Sequence, residues 1–369
     1  MKMSRDILRI FAIVGCLAAV TAVGAAQSFD IKPAGTPFPL KNIGKKGELT
    51  PNKTIEPSAV EPIGDGKYLI VGDDKDNGVG QSLAVVETAS GLVIKLLENI
   101  QGKAANPKWE AMAKDDEGNF YIMGSHNEDD AEKLVSKSRL FRFRLKNENE
   151  TEPNNFKIDM DSVRELDIKE SLKALGLYSS DPAKNQTKIE GLAVRTNAGH
   201  AELAFGFREP FFSGDRVGVF VAEVPATLGA WPTITKLTLR PFFGFIAGKP
   251  QDSPVPFKIS SIEYCKQIGG FLLLTSTEDK QNKFHGNALW YVSDEMILKA
   301  QTATGKGEQY VVKALNLLEF EPNNKAEGLS IQPAKIGGKT TIVIMYDNDP
   351  KNAPPNISMM QLMELSPRP

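Results

Sequence analysis

Short apolar runs bounded by Gly, Asn, Asp and Pro recur along most of the chain and read as β-strands. One pair of runs returns repeatedly. "NPKWEAMAKDDEGNFYIMGSHNED" (106–129) aligns with "QTKIEGLAVRTNAGHAELAFGFREP" (186–210). Each has Lys, an apolar residue, Glu, a small residue and another apolar residue, then a turn and a strong apolar strand ending in polar residues. The pattern comes back in "NNKAEGLSIQ" followed by "TTIVIMYDND", and without its Glu in "PFKISSIEYCKQIGGFLLLTSTED". "TIEPSAVEPIGDGKYLIVGDD" is a looser copy. Two more candidate strands follow each pair, except in the last repeat, where only "SMMQLMEL" remains.

Five repeats of four strands, the last one strand short, predict an all-β chain folded as a five-bladed β-propeller. "FDIKPAG" (29–35) is the expected donor of the missing strand. The repeats open at Ser58, Glu110, Glu190, Ser260 and Glu327, spaced by 52, 80, 70 and 67 residues. These intervals are long for bare blades. A sixth, degenerate blade within 226–256 is the competing count, and a twin-sheet sandwich is the competing architecture. The longest interval holds "MDSVRELDIKESLKALGLY", which predicts a small helical insertion over 160–178.

A propeller gives the repeat openings a common place. The first strand of each blade lines the central channel and starts at one face. Ser58, Glu110, Glu190, Ser260 (or its neighbour Ser261) and Glu327 should therefore ring the axis. Three carboxylates brought together repel, and a cation relieves them. Oxygen donors without Cys or His suit Ca²⁺, which takes about 6–8 oxygens in a flexible shell. The alternative is that each Glu pairs with the Lys two residues before it: Lys108, Lys188 and Lys325. A wider polar ring should lie above: Asp73 and Asp74, His126, Arg208, Glu278 and Asp279, Asp347 and Asp349. Arg208 is the guanidinium of this set, suited to phosphate or carboxylate.

Composition narrows the function. The chain has 369 residues, 24% of them charged, with a net charge of -2 and no Lys/Arg-rich run, which disfavours nucleic acid. Lys2, Arg5 and Arg9 precede the uncharged stretch 10–26, which ends in small residues. This predicts a cleaved export signal over 1–26, a single domain over 27–369 and a periplasmic or secreted protein. The apolar run is shorter than the roughly 20 residues of a membrane span, so no stable span is expected after cleavage. A retained anchor and lipid attachment at Cys16 are the alternatives. Cys265 is then the one remaining cysteine, a buried core residue without a disulfide partner. G-x-S-x-G, Walker A, H-E-x-x-H and Cys/His zinc spacings are missing. His200 and His285 read as solvated turn residues, and Trp109 as a floor for a ligand.

The order Ser, Glu, Glu, Ser, Glu resembles the soluble calcium-activated nucleotidase (apyrase) family. "EPSAVEPIGDGKYLIVGDDKDNG", "WEAMAKDDEGNFYIMGS", "ISSIEYCKQIGGFLLLTSTEDK" and "AEGLSI" are similar to its blade openings. The resemblance implies one axial Ca²⁺ held by Ser58, Glu110, Glu190, Ser260 and Glu327. It also implies hydrolysis of nucleoside di- and triphosphates, with Asp73, Asp74 and Arg208 at the matching active positions. "FGFREP" departs from the family, which is richer in basic residues there. "EGL" after an apolar-Lys pair is also similar to esterase-like phytase propellers and to a group of exported bacterial proteins.

The leading expectation is an exported calcium-binding propeller that hydrolyses phosphate esters or anhydrides of small molecules. The alternatives are a ligand- or protein-binding propeller with a structural calcium, and a lactonase- or esterase-type hydrolase.

Overall fold

The computed structural model describes residues 29–43, 49–51, 56–72, 83–97, 100, 109–126, 138–147, 154–178, 187–197, 200–212, 216–250, 253–279, 283–303, 310–320, 324–332, 339–347 and 358–367. The expected export signal over 1–26, with Cys16, lies outside them. So do Asp73, Asp74, Lys108 and Asp349.

The strands assemble into five sheets arranged as the blades of a propeller. An N-terminal group comprises β1 (Phe29–Pro33), β2 (Phe38–Pro39), β3 (Lys41–Ile43) and β4 (Leu49–Pro51). Blade 1 follows with β5 (Pro57–Gly64), β6 (Lys67–Gly72), β7 (Leu83–Glu87) and β8 (Leu92–Leu97), and β3 and β4 extend its outer edge. Blade 2 has β9 (Trp109–Lys114), β10 (Phe120–Gly124), β11 (Leu140–Asn147) and β12 (Phe156–Asp167). Blade 3 has β13 (Lys188–Asn197), β14 (His200–Phe212), β15 (Arg216–Val224) and, after the short β16 (Ile234–Lys236), β17 (Arg240–Ile246). Blade 4 has β18 (Lys258–Cys265), β19 (Gly270–Glu278), β20 (Phe284–Ser293) and β21 (Leu315–Phe320). Blade 5 has β22 (Lys325–Gln332), β23 (Thr340–Asp347) and β24 (Met359–Pro367).

The missing strand of blade 5 is β1, as the repeat count predicts. It pairs antiparallel with β24 from Phe29↔Pro367 to Pro33↔Met363. An N-terminal and a C-terminal strand thus share one sheet, which closes the circle with four strands in blade 5.

Five apolar layers hold the blades together, one at each junction. Trp109, Phe141 and Phe143 of blade 2 meet Leu69, Val71 and Val85 of blade 1. Phe205 and Phe207 of blade 3 meet Tyr121 and Met123 of blade 2. Phe242, Phe243 and Phe245 pack against Phe271 and Trp290 across the junction of blades 3 and 4. Blades 4 and 5 share Leu272, Leu274, Ile342 and Ile344, and blades 5 and 1 share Val60, Tyr68, Val343 and Met345. Each sheet is buried on both faces, so its middle strands are nearly continuous apolar runs. In β19, eight successive residues are buried.

One expectation and one alternative need correction, and one element was not foreseen. The predicted helix over 160–178 is mostly strand: β12 runs to Asp167, and the helix α1 covers only Lys169–Ala174. Val163 and Leu166 are buried as parts of β12, which pairs with β11, so their spacing serves a sheet. A second helix, α2 (Asp294–Ala303), lies between β20 and β21 and was not foreseen. The segment 226–256 forms no sixth blade. Its β16 adds to blade 2, parallel to β12, while β17 is the outer strand of blade 3.

At the centre the inner strands leave almost no room. A Cβ added to Gly191 would lie 2.7 Å from Ile262 Cγ2 and 3.2 Å from the Cα of Gly206. Gly191→Val should therefore destabilise the fold by about 1–3 kcal/mol through overpacking. Denaturant unfolding checks this, and an unchanged midpoint would contradict the close approach.

Candidate functional site

Every inner strand carries a β-bulge at its opening. In blade 1 the pairing steps from Pro57↔Gly72 to Ala59↔Val71, displacing Ser58. In blade 2 it steps from Trp109↔Gly124 to Ala111↔Met123, displacing Glu110. In blades 3, 4 and 5 the displaced residues are Glu190, Ser260 and Glu327. These are the five residues expected to ring the axis, and Ser260 rather than Ser261 holds the fourth place. A bulge removes one residue from the ladder and re-aims its side chain. The next residue is small each time: Ala59, Ala111, Gly191, Ser261 and Gly328. All five displaced residues are buried.

A second bulge in the same hairpin displaces Arg208. The register of β13 and β14 runs from Lys188↔Glu209 to Ile189↔Phe207, so Arg208 has no opposite partner. Its guanidinium is 5% exposed and donates from Nη1 to Glu190 Oε2 at 2.8 Å. The same nitrogen reaches Ser276 Oγ at 3.2 Å and Ser260 Oγ at 3.3 Å, and these two hydroxyls lie 2.6 Å apart. Glu278 Oε2 lies 3.8 Å from Arg208 Nη2 and 3.2 Å from Lys325 Nζ. Lys325 Nζ then meets Glu327 Oε1 at 2.5 Å, and Lys188 Nζ meets Glu190 Oε1 at 2.5 Å. A continuous polar network thus joins blades 3, 4 and 5 at the mouth where the inner strands begin.

Burial works to raise the Glu190 carboxyl, but Arg208, Lys188 and Lys325 outweigh it and hold the group at about 2. Burial likewise opposes the charge on Arg208 and on Lys325. The surrounding carboxylates prevail and raise both, with Glu190 foremost for Arg208 and Glu327 for Lys325. The pairing of Glu with the Lys two residues earlier, weighed as the alternative to a metal, is present at Glu190 and Glu327. Among the described residues, no three His, Cys, Asp or Glu side chains converge closely enough to share an ion. The donor chemistry nonetheless suits a hard cation. All five displaced residues offer oxygen, and Ser58 Oγ is buried with no hydrogen-bond partner.

The other expected pocket residues separate. His126, at the end of β10, is buried, with Nδ1 3.0 Å from Gly124 O, and burial lowers its imidazole to about 4. Asp347 ends β23 at the same mouth. Asp279 is a turn residue: its Oδ1 accepts the Lys283 N–H, and its Oδ2 lies 3.0 Å from His285 Nε2. His285 is therefore paired rather than solvated, whereas His200 is exposed as expected. Trp109 floors no ligand; it is fully buried, edge-on to Phe141.

The opposite mouth holds a feature that the sequence reading missed. A cavity of about 380 Å³ is lined from all five blades, including Glu61, Lys114, Thr196, Glu263 and Ile331. The carboxyls of Glu61 and Glu263 come close enough there for each to act on the other's ionisation. Burial pushes Glu61 up to about 8 against the pull of Lys114, and burial with the Glu61 charge raises Glu263 well above the usual carboxylate range. The signal was present in "SAVEP" and "SSIEY", where Glu recurs three residues after the displaced Ser.

No family model matches the chain, and the expected resemblance to the calcium-activated nucleotidases is not shown by it. No curated protein matches it. Among solved structures it is similar to a levansucrase variant from B. megaterium, at 12% identity and a TM-score of 0.48, covering 94% of this chain and 91% of that one. It is also similar to an exo-β-1,3-galactanase from Clostridium thermocellum, at 10% identity and a TM-score of 0.45, covering 90% of this chain. The Dos1 propeller matches at 10% identity and a TM-score of 0.34, covering 83% of this chain. The chain spans 61% of the length of that galactanase and 55% of the Dos1 chain.

Arg208→Ala should cost about 3–5 kcal/mol, because Glu190 would stay buried without its guanidinium; thermal and denaturant unfolding measure this. The folded chain retains a proton on Glu61 that the unfolded chain releases from about pH 4.5. Its contribution to stability is thus full below that pH and is lost as the pH rises through about 8. Glu61→Gln should flatten this decline in unfolding measured across that range in chelator, and an unchanged slope would refute the assignment.

Proposed function

We propose that this propeller is a calcium-dependent hydrolase of small phosphate esters or anhydrides, with its active site at the mouth where the inner strands begin. The observation that carries this reading is the convergence at that mouth of three cationic side chains, Arg208, Lys188 and Lys325, on the level of the five displaced residues. With Glu190 and Glu327 turned to a bound calcium, these cations would be left to favour an anionic substrate. Arg208 is the group to bind a phosphoryl oxygen and to stabilise charge that develops on it.

Ser58, Glu110, Glu190, Ser260 and Glu327 would hold the calcium. When bound, the ion supplies Lewis-acid polarisation of a phosphoryl oxygen. Asp73 and Asp74, which follow Gly72 in sequence, are the candidates for a general base. The uncharged stretch 10–26 supports export, where calcium is abundant.

The ion pairs of Lys188 with Glu190 and Lys325 with Glu327 favour a second reading. In it the network is a metal-free polar plug that fixes the blades around a binding surface.

Phosphate release from nucleoside di- and triphosphates and phosphate monoesters, with lactones run in parallel, tests the assignment. Release should require calcium and stop with chelator. Arg208→Lys should lower it by about 100-fold or more. A melting temperature indifferent to calcium and chelator, together with no release from any phosphate compound, would leave the plug as the function of this cluster.

A further inference from the structure

The five bulges set a common origin for counting along the inner strands. Three residues past them, roughly 10 Å further down the axis, the sequence places Glu61, Ala113, Ala193, Glu263 and Ser330. Blades 4, 5 and 1 are consecutive around the ring, and they contribute Glu, Ser and Glu at this level. Blades 2 and 3 contribute only alanines. The level is therefore one-sided, with oxygen donors along one arc and methyl groups along the other.

The oxygen arc is incompletely satisfied. Glu61 is 1% exposed, and its Oε1 has no hydrogen-bond partner. Glu263 Oε2, on the carboxyl coupled to Glu61, is also buried with no donor facing it. Ser330 Oγ is the third such atom, on a residue with no exposed surface. Buried acceptors left unpaired are costly, so a level carrying three of them is built for a group that supplies positive charge. Lys114 fills this role only in part: its charge draws the Glu61 carboxyl down without overcoming burial, and its Nζ donates to Pro62 O at 2.7 Å. Both carboxylates line the cavity of about 380 Å³, which gives an ion and its water ligands a path from solvent.

We propose that Glu61, Glu263 and Ser330 form a second cation site, for a divalent ion with hard, oxygen-seeking character, at the mouth opposite the displaced residues. The two carboxylates and the hydroxyl supply the protein ligands, and water entering through the cavity completes the shell. The site is independent of the upper ring, because none of its ligands belongs to the network around Arg208.

Calorimetric titration of the full chain with Mn²⁺ tests the proposal. The variant E61Q/E263Q should lose one bound ion, whereas Glu110→Gln should keep it. Titration of E61Q/E263Q that matches the wild type would overturn the proposal. Unfolding in chelator guards against a trivial loss of fold: replacing two carboxyls forced together should leave the melting temperature unchanged or higher. As a second readout, Tb³⁺ added to the Glu110→Gln variant should give tyrosine-sensitised emission from Tyr264, which lines the same cavity beside Glu263. Emission that survives Tyr264→Phe undiminished would place the ion elsewhere and overturn the proposal. A Glu110→Gln variant that binds like the wild type counts against calcium in the upper ring and leaves the lower site intact.

Discussion

The arrangement depends on a defect repeated five times. A bulge at the opening of each inner strand lifts one residue out of the hydrogen-bond ladder where five strands crowd around an axis. The displaced side chain leaves the regular pleat, so Ser58, Glu110, Glu190, Ser260 and Glu327 are set apart from the apolar alternation of the layers. The following position must then be small, because the strand backbones approach closely there. Gly191, facing Gly206 across the ladder, shows the limit: neither residue has space for a methyl group. Polar placement and small-residue packing are two consequences of one backbone event.

The bulge also explains why much of the fold was legible. The word Lys-apolar-Glu-small-apolar records a strand entry, a displaced residue and a close approach, in an order that ordinary alternation would not give. It exposed the repeat, the blade number and the N-terminal closing strand. The helix forecast over 160–178 failed for the converse reason. Ile158, Val163, Leu166, Ile168 and Leu172 are all buried, but they divide between a strand and a single helical turn or so. Periodicity over so mixed a segment has no unique answer. Residues 226–256 were ambiguous because β16 crosses to the neighbouring sheet, and parallel pairing between blades leaves no local trace in sequence.

The candidate site was legible in its members and illegible in their partnerships. Arg208 was selected as a cation above the ring, yet it sits within it, brought there by a second bulge that the one-residue register shift of β14 conceals. Lys188 and Lys325 were weighed as local partners, and both take that role. The lower pair, Glu61 and Glu263, escaped notice because each looks like an ordinary polar position in an alternating strand. Only closure of the ring, which places blades 1 and 4 within reach across the axis, turns two unrelated glutamates into one contact.

The two ends of the channel therefore solve the same electrostatic problem differently. At the upper level, carboxylates buried by the bulges are balanced by Arg208, Lys188 and Lys325, and Glu190 stays ionised. At the lower level Lys114 donates its ammonium to a backbone carbonyl and offsets only part of the burial of Glu61, so burial drives both carboxyls toward protonation. A fold that needed only rigidity could have filled both levels with alanine, as blades 2 and 3 do at Ala113 and Ala193. Ionisable groups therefore stand on the axis at both levels, held charged by neighbouring side chains at one and pushed toward the neutral form by burial at the other. The apolar layers between the blades carry the stability that makes this tolerable.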